Sequence, residues 1–176
     1  MKQLSILAVL CIALCGCKPK PADTVKTGLA AKLNYPFTPK YSINWQPGDE
    51  KNALIVLNCL KKYVAGDLKG TFENFADTVT FIGDQFYFKG KKDSLIRIFT
   101  PIREGFATLS KEFDSWATMY YPDKKATWVT LWYTEKWTDK KGKSDSLYYV
   151  DDVLVNNGKI VEYDEKIRRF PEPAKK

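Results

Sequence analysis

Three segments, ATWVTLWYTEKWT (126–138), DSLYYVDDVLV (145–155) and KIVEYDEKIRRF (159–170), alternate apolar and polar side chains almost without interruption. A period of two places successive side chains on opposite faces of an extended chain, so each segment reads as a long strand with one buried face. Residues 107–121 continue the pattern upstream. Pro122-Asp123-Lys124-Lys125, Asp139 to Lys143 and Asn156-Asn157-Gly158 punctuate it with turn residues. Four long antiparallel strands in a row need something to cover one face.

The cover lies upstream of Gly105, where the period is helical. Asp49 is a plausible N-cap, and Ala53, Val56, Leu57, Leu60, Tyr63 and Val64 follow on one helical face until Gly66. Asp67 caps a second helix that turns Leu68, Phe72 and Phe75 inward. Val79 to Ile82 and Phe86 to Phe88 form a short hairpin turning at Gly83-Asp84. A third helix, about 91–105, buries Leu95, Ile98, Phe99, Ile102 and then Phe106, and Pro101 should kink or tighten its last turns. The expected class is α+β: a cone-shaped, curved antiparallel sheet, four long strands plus a short hairpin, wrapped around three helices.

The segment before this domain is of another kind. Residues 1–16 combine Lys2 with an apolar core from Leu4 to Leu14, too short for a permanent bilayer span. Leu14-Cys15-Gly16-Cys17 then resembles the cleavage box of bacterial lipoproteins, which implies cutting before Cys17 and acyl chains on Cys17. Residues 17–48 carry five prolines and read as a lipidated tether whose later part lies along the domain. The domain itself is 49–170, with a tail at 171–176. The resemblance implies a bacterial cell envelope location. Lys18 after the acylated cysteine resembles lipoproteins sent to an outer membrane.

Composition removes several chemistries. The chain of 176 residues contains no histidine, which excludes Ser-His-Asp and Cys-His nucleophiles and the common zinc sites. Once residues 1–16 leave, Cys59 is the only cysteine besides Cys17, so no internal disulfide is expected; Cys59 sits in the apolar helical repeat as a packing residue. The formal net charge of +7 is spread in lysine pairs at turns and helix faces. That spread favours plain solubility over a nucleic-acid stripe, and in an exported chain its best use is staying close to anionic lipid or polymer. No phosphate-binding glycine loop or metal-ligand cluster is visible, so no cofactor is expected.

The order of elements, with Ala65-Gly66-Asp67 at the helix junction, Phe75-Ala76-Asp77 before the first strand and Gly158-Lys159-Ile160 opening the last, resembles the nuclear transport factor 2-like superfamily over about 49–170, including its SnoaL-like polyketide-cyclase branch. The resemblance implies a cone with a pocket at its open end, and often pairing through the sheet. Fold alone does not assign function there. Its ketosteroid-isomerase branch uses a carboxylate base after the first strand and a tyrosine plus a protonated aspartate as oxyanion hole. By alignment the base position falls on Gly83 and the tyrosine position on Cys59. Only the aspartate remains, as Asp151, so that reaction is not expected.

Which carboxylates face the pocket depends on one turn. A two-residue loop at Asn157-Gly158 sets Asp152 opposite Tyr163. A three-residue loop with Gly158 left-handed sets Val153 opposite Val161 and Asp151 opposite Tyr163. The second is more apolar and is preferred. It lines the pocket with Tyr149, Asp151, Val153, Val161, Tyr163 and Glu165. Asp151 and Glu165 are then either polar anchors or acid/base groups for a ligand, or a satisfied structural pair. Trp128, Thr130 and Trp132 fall on the outer face, as a homodimer surface or as a patch covered by residues 35–45. The expected function is non-catalytic binding of a small apolar or amphipathic ligand, or a protein-interaction module, on a membrane anchor. The alternative is a cofactor-independent isomerase, cyclase or hydratase using Asp151 and Glu165.

Overall fold

The computed structural model describes residues 34–171; Cys17, the 1–16 segment, most of the tether and the last five residues of the tail lie outside them. Among the described residues, no helix is long and apolar enough to cross a membrane. Residues 39–171 form one body. It contains β1 (Gln46–Pro47), α1 (Lys51–Ala65), α2 (Leu68–Thr71), β2 (Phe75–Gly83), β3 (Phe86–Lys91), α3 (Lys92–Glu104), β4 (Phe106–Tyr121), β5 (Ala126–Asp139), β6 (Ser144–Asn156) and β7 (Lys159–Arg169). One seven-stranded sheet runs in the order β1-β4-β5-β6-β7-β2-β3. All neighbours are antiparallel except β2 and β7, which pair in parallel and attach the hairpin to the long strands.

The helices form where the pattern places them. In α1, Ala53, Val56, Cys59 and Leu60 are buried against the sheet, and Gly66 closes the helix in the left-handed conformation at φ 81°. The helix begins one residue later than expected: Glu50 occupies the cap, and Asp49 accepts from the Lys51 amide at 2.9 Å. Asp67 caps α2 by accepting from Gly70 N at 2.8 Å. Phe75 is buried, but as the first residue of β2, because α2 is only one turn long.

Pro101 stays inside α3. The helix ends on a tightened turn, where Gly105 N reaches both Pro101 O and Ile102 O at 3.1 Å. Arg103 then donates to the carbonyls of Tyr63 and Val64, each at 2.7 Å, joining the ends of α3 and α1. Ile102, expected in the core, is 47% exposed; it stands at the rim of the cavity described below.

The β6–β7 connection corrects the expected turn. Asn156 pairs with Lys159, so the loop has two residues, Asn157 (φ 49°) and Gly158 (φ 71°), both left-handed as a type I′ turn requires. The ladder then shifts: Val155 opposes Ile160 but Leu154 opposes Glu162, leaving Val161 as the extra residue of a bulge. Beyond it Val153 opposes Tyr163 and Asp151 opposes Glu165. The bulge restores by one inserted residue the facing that the three-residue loop was expected to provide. Ile160, fully buried, takes the inward place assigned to Val161, which is only half-buried.

Candidate functional site

The sheet curves around the helices and leaves a cavity of about 370 Å³ between α1, α3 and the inner faces of the strands. Its wall is mostly aromatic and aliphatic: Leu60 and Tyr63 from α1, Phe72, Phe75, Phe81 and Phe86 around the hairpin, Ile98, Phe99 and Ile102 from α3. The rings pack on one another, with Phe81 stacked on Tyr163 at 5.2 Å and Tyr133 on Tyr149 at 5.2 Å. Against this wall stand Glu165, Lys111, Glu135 and the hydroxyl-bearing rings of Tyr63, Tyr133, Tyr149 and Tyr163.

The predicted residues divide by depth. Tyr149, Tyr163 and Glu165 line the cavity. Asp151 and Val153 face the same way but are fully buried and do not line it. Val161, on the bulge, does not reach it either.

Asp151 accepts a hydrogen bond from Tyr133 Oη at 2.8 Å and another from Tyr163 Oη at 2.5 Å, both on Oδ2. Oδ1 has no partner among the described residues. Burial pushes the Asp151 carboxyl up to about 6, against the two phenol donors and Lys111, which pull it down. Glu165, directly opposite on β7, receives no such donor. Burial, and then the charge of Asp151, push it up to about 8. Two facing carboxyls do not both ionise readily where burial weakens their solvation. The one stabilised by hydroxyl donors takes the charge, and Glu165 keeps the proton near neutrality.

Sequence reasoning missed the ion pair of Lys111 and Glu135. It is nearly buried, with side chains 5% and 9% exposed. Lys111 Nζ also donates to Tyr133 Oη at 3.2 Å and lies 4.2 Å from the centre of that ring. A chain of polar contacts results: Glu135, Lys111, Tyr133, Asp151, Tyr163. The register hid it. Counted from Tyr121 opposite Ala126, Lys111 would face Lys136. A bulge between Phe113 and Ser115 moves it opposite Glu135. Opposite charges at inward positions of one hairpin were the available signal.

Gly83 and Cys59, the positions where the isomerase branch carries its base and its tyrosine, both border the cavity. A Cβ on Gly83 would lie 3.9 Å from Glu165 Oε1. The Cys59 thiol is pushed by burial up to about 12, so it remains a neutral packing group.

No protein-family model and no curated protein matches the sequence. Solved structures do match in shape. A proposed dehydratase of the nuclear transport factor 2-like family from Streptomyces avermitilis aligns over 69% of this chain and 97% of its own, with TM-score 0.59 and 11% identity. AusH from Aspergillus nidulans aligns over 73% of this chain and 91% of its own (TM-score 0.58, 12% identity). The fold is nuclear transport factor 2-like. A proposed polyketide cyclase from Xanthomonas campestris shares it over 66% of this chain and 90% of its own, at TM-score 0.51 and 10% identity. At such identities the likeness concerns architecture, and the nuclear transport factor 2-like cone is the scaffold on which these side chains are arranged.

On the outer face, Trp128 and Trp132 are half-buried and Thr130 is buried, bonded to Asp152 at 2.5 Å. Tyr41 meets Trp128 edge-on at 6.1 Å, so part of the upstream segment covers this tryptophan. Lys166 bridges Asp152 and Asp164 at 2.7 and 2.8 Å. Among the described residues, no group of three or more Cys, Asp or Glu side chains is placed to hold a metal ion.

Proposed function

We propose that this protein binds a small, largely apolar molecule in its cone and holds it at a membrane through acyl chains on Cys17. The observation that carries the binding reading is the cavity itself. About 370 Å³ lined by aromatic and aliphatic side chains, with a few polar groups at one wall, is the usual build of a small-molecule site. The polar groups that would do work in the isomerase branch are absent at Gly83 and Cys59, and the Lys111–Glu135 pair satisfies itself. The membrane reading rests on Leu14-Cys15-Gly16-Cys17 after a short apolar core. Native mass spectrometry of the purified protein should find a small molecule retained on it and released on unfolding. A protein that carries none, and takes up none from a panel of neutral apolar compounds, refutes the binding reading. Cys17→Ala should abolish incorporation of a labelled fatty acid.

A second reading is favoured by Glu165, a carboxyl raised to about 8, able to give and take a proton near neutrality. On that reading the cone isomerises or dehydrates its ligand without a cofactor. Chemical change of a retained ligand that stops in Glu165→Gln distinguishes it from binding alone.

A further inference from the structure

Resting on the binding reading above, the geometry also assigns the class of ligand. At the cavity wall the Glu165 carboxyl and the hydroxyls of Tyr63 and Tyr149 have no hydrogen-bond partner among the described residues, and neither do the Asp84 and Gln85 side chains at the turn between β2 and β3. The other polar groups there are engaged, Lys111 with Glu135 and Tyr133, and Tyr133 and Tyr163 with Asp151. Glu165 enters the volume left open beside Gly83, between Phe81 and Phe86.

We propose that the Glu165 carboxyl is a hydrogen-bond donor to the carbonyl oxygen of a neutral ligand with a flat apolar body, and that the cavity selects such compounds over their carboxylate analogues. An apolar pocket leaves a donor without a partner unless the ligand supplies an acceptor, and that mismatch is where discrimination is large. A carboxylate ligand would bring a further negative charge beside Asp151 and Glu135, while Lys111, the cation that faces Glu165, is already paired. The stacked rings of Phe81 and Tyr163 offer a face to a flat body.

Binding must then depend on the proton of Glu165. The charged groups that face it are Asp151 from β6, Glu135 from β5 and Lys111 from β4, with the phenols of Tyr63 on α1 and Tyr149 on β6, and Asp84 lines the same cavity from the turn between β2 and β3. Both phenols are pushed well above their ordinary value by burial and by these carboxylates, so they remain neutral donors while Glu165 titrates. As pH rises through about 8 the carboxyl loses its proton, and the donor becomes a second negative charge at the cavity wall that repels a carbonyl oxygen.

The test uses three isosteric probes: methyl naphthyl ketone, isopropenylnaphthalene and naphthoate, titrated against the whole protein by fluorescence. The ketone should bind about tenfold more tightly than the hydrocarbon at about pH 6, the worth of one buried hydrogen bond, and naphthoate should bind least. The ketone's advantage should disappear at about pH 9. Glu165→Leu should remove that advantage at every pH. Glu165→Gln, which keeps an N–H donor, should retain it without the pH dependence. If the hydrocarbon binds and the ketone binds no better, or if Glu165→Leu keeps the preference, the assignment of Glu165 is overturned while the cavity reading survives. If none of the probes binds, the binding reading falls and this inference with it.

Discussion

Replacing Glu165 by glutamine should abolish most of the protein's loss of stability between about pH 6.5 and pH 8, a window set by the pKa differences around it. The Glu165 carboxyl titrates at 4.5 when solvated and at about 8 in the folded chain. Over the interval between those values the folded protein keeps a proton that the unfolded chain has lost. Stability is therefore greatest below the lower value, falls as pH rises, and levels off above the upper one. Asp151 acts with the same sign, but only between 3.8 and about 6. Cys59 enters when unfolded thiols ionise near 9.0. In the window between, Glu165 is left as the main contributor, and one retained proton corresponds to about 1.4 kcal/mol per pH unit. The wild-type protein should thus lose about 2 kcal/mol across it, or somewhat less where water entering the cavity relaxes the buried charge. Urea unfolding at closely spaced pH values measures this directly. Glu165→Gln should be nearly flat over the same span. A wild-type curve that does not fall there, or a variant curve that falls in parallel, refutes the protonated state of Glu165.

Lys111→Met strands the Glu135 carboxylate in the interior and should cost about 3 to 5 kcal/mol, most of it recovered by adding Glu135→Leu; a single variant within about 1 kcal/mol of wild type on urea unfolding would contradict the buried pair. Cys59, with its thiol pushed up to about 12, should resist alkylation in the folded protein at mildly alkaline pH and react on unfolding, as mapped by mass spectrometry of the peptide that contains it. Deleting Val161 removes only the bulged residue and leaves Val155 opposite Ile160 and Leu154 opposite Glu162. The deletion should fold with its near-ultraviolet circular dichroism intact at a cost of about 1 to 2 kcal/mol. An unfolded product would mean that the bulge itself, rather than the register on either side of it, is required.

The helical half and the strand half were both legible because their periods differ and the change falls at one residue, Gly105. Gly66 and Asp67 marked the junction of α1 and α2 through a left-handed cap and a side-chain cap. What local pattern could not carry was parity across a bulge. At Val161 and again near Asp114 one inserted residue changes which side chains oppose each other. The first left the inward set almost intact and replaced only Val161 by Ile160. The second concealed the contact of Lys111 with Glu135. Asp151 and Glu165 were readable as inward carboxyls because alternation holds within each strand. Their unequal roles were not, since those depend on the hydroxyls of Tyr133 and Tyr163, which converge on Asp151 from either side.

The parallel pairing of β2 with β7 has a consequence for how the molecule is made. The hairpin formed early in the chain finds its other neighbour only in the final strand, so the wall cannot close until nearly the whole polypeptide is present. A nascent chain lacking β7 would expose the Phe81 ring and have neither Tyr163 nor Glu165. Contacts this distant in sequence form slowly, so the inner face of the hairpin stays uncovered until late in folding.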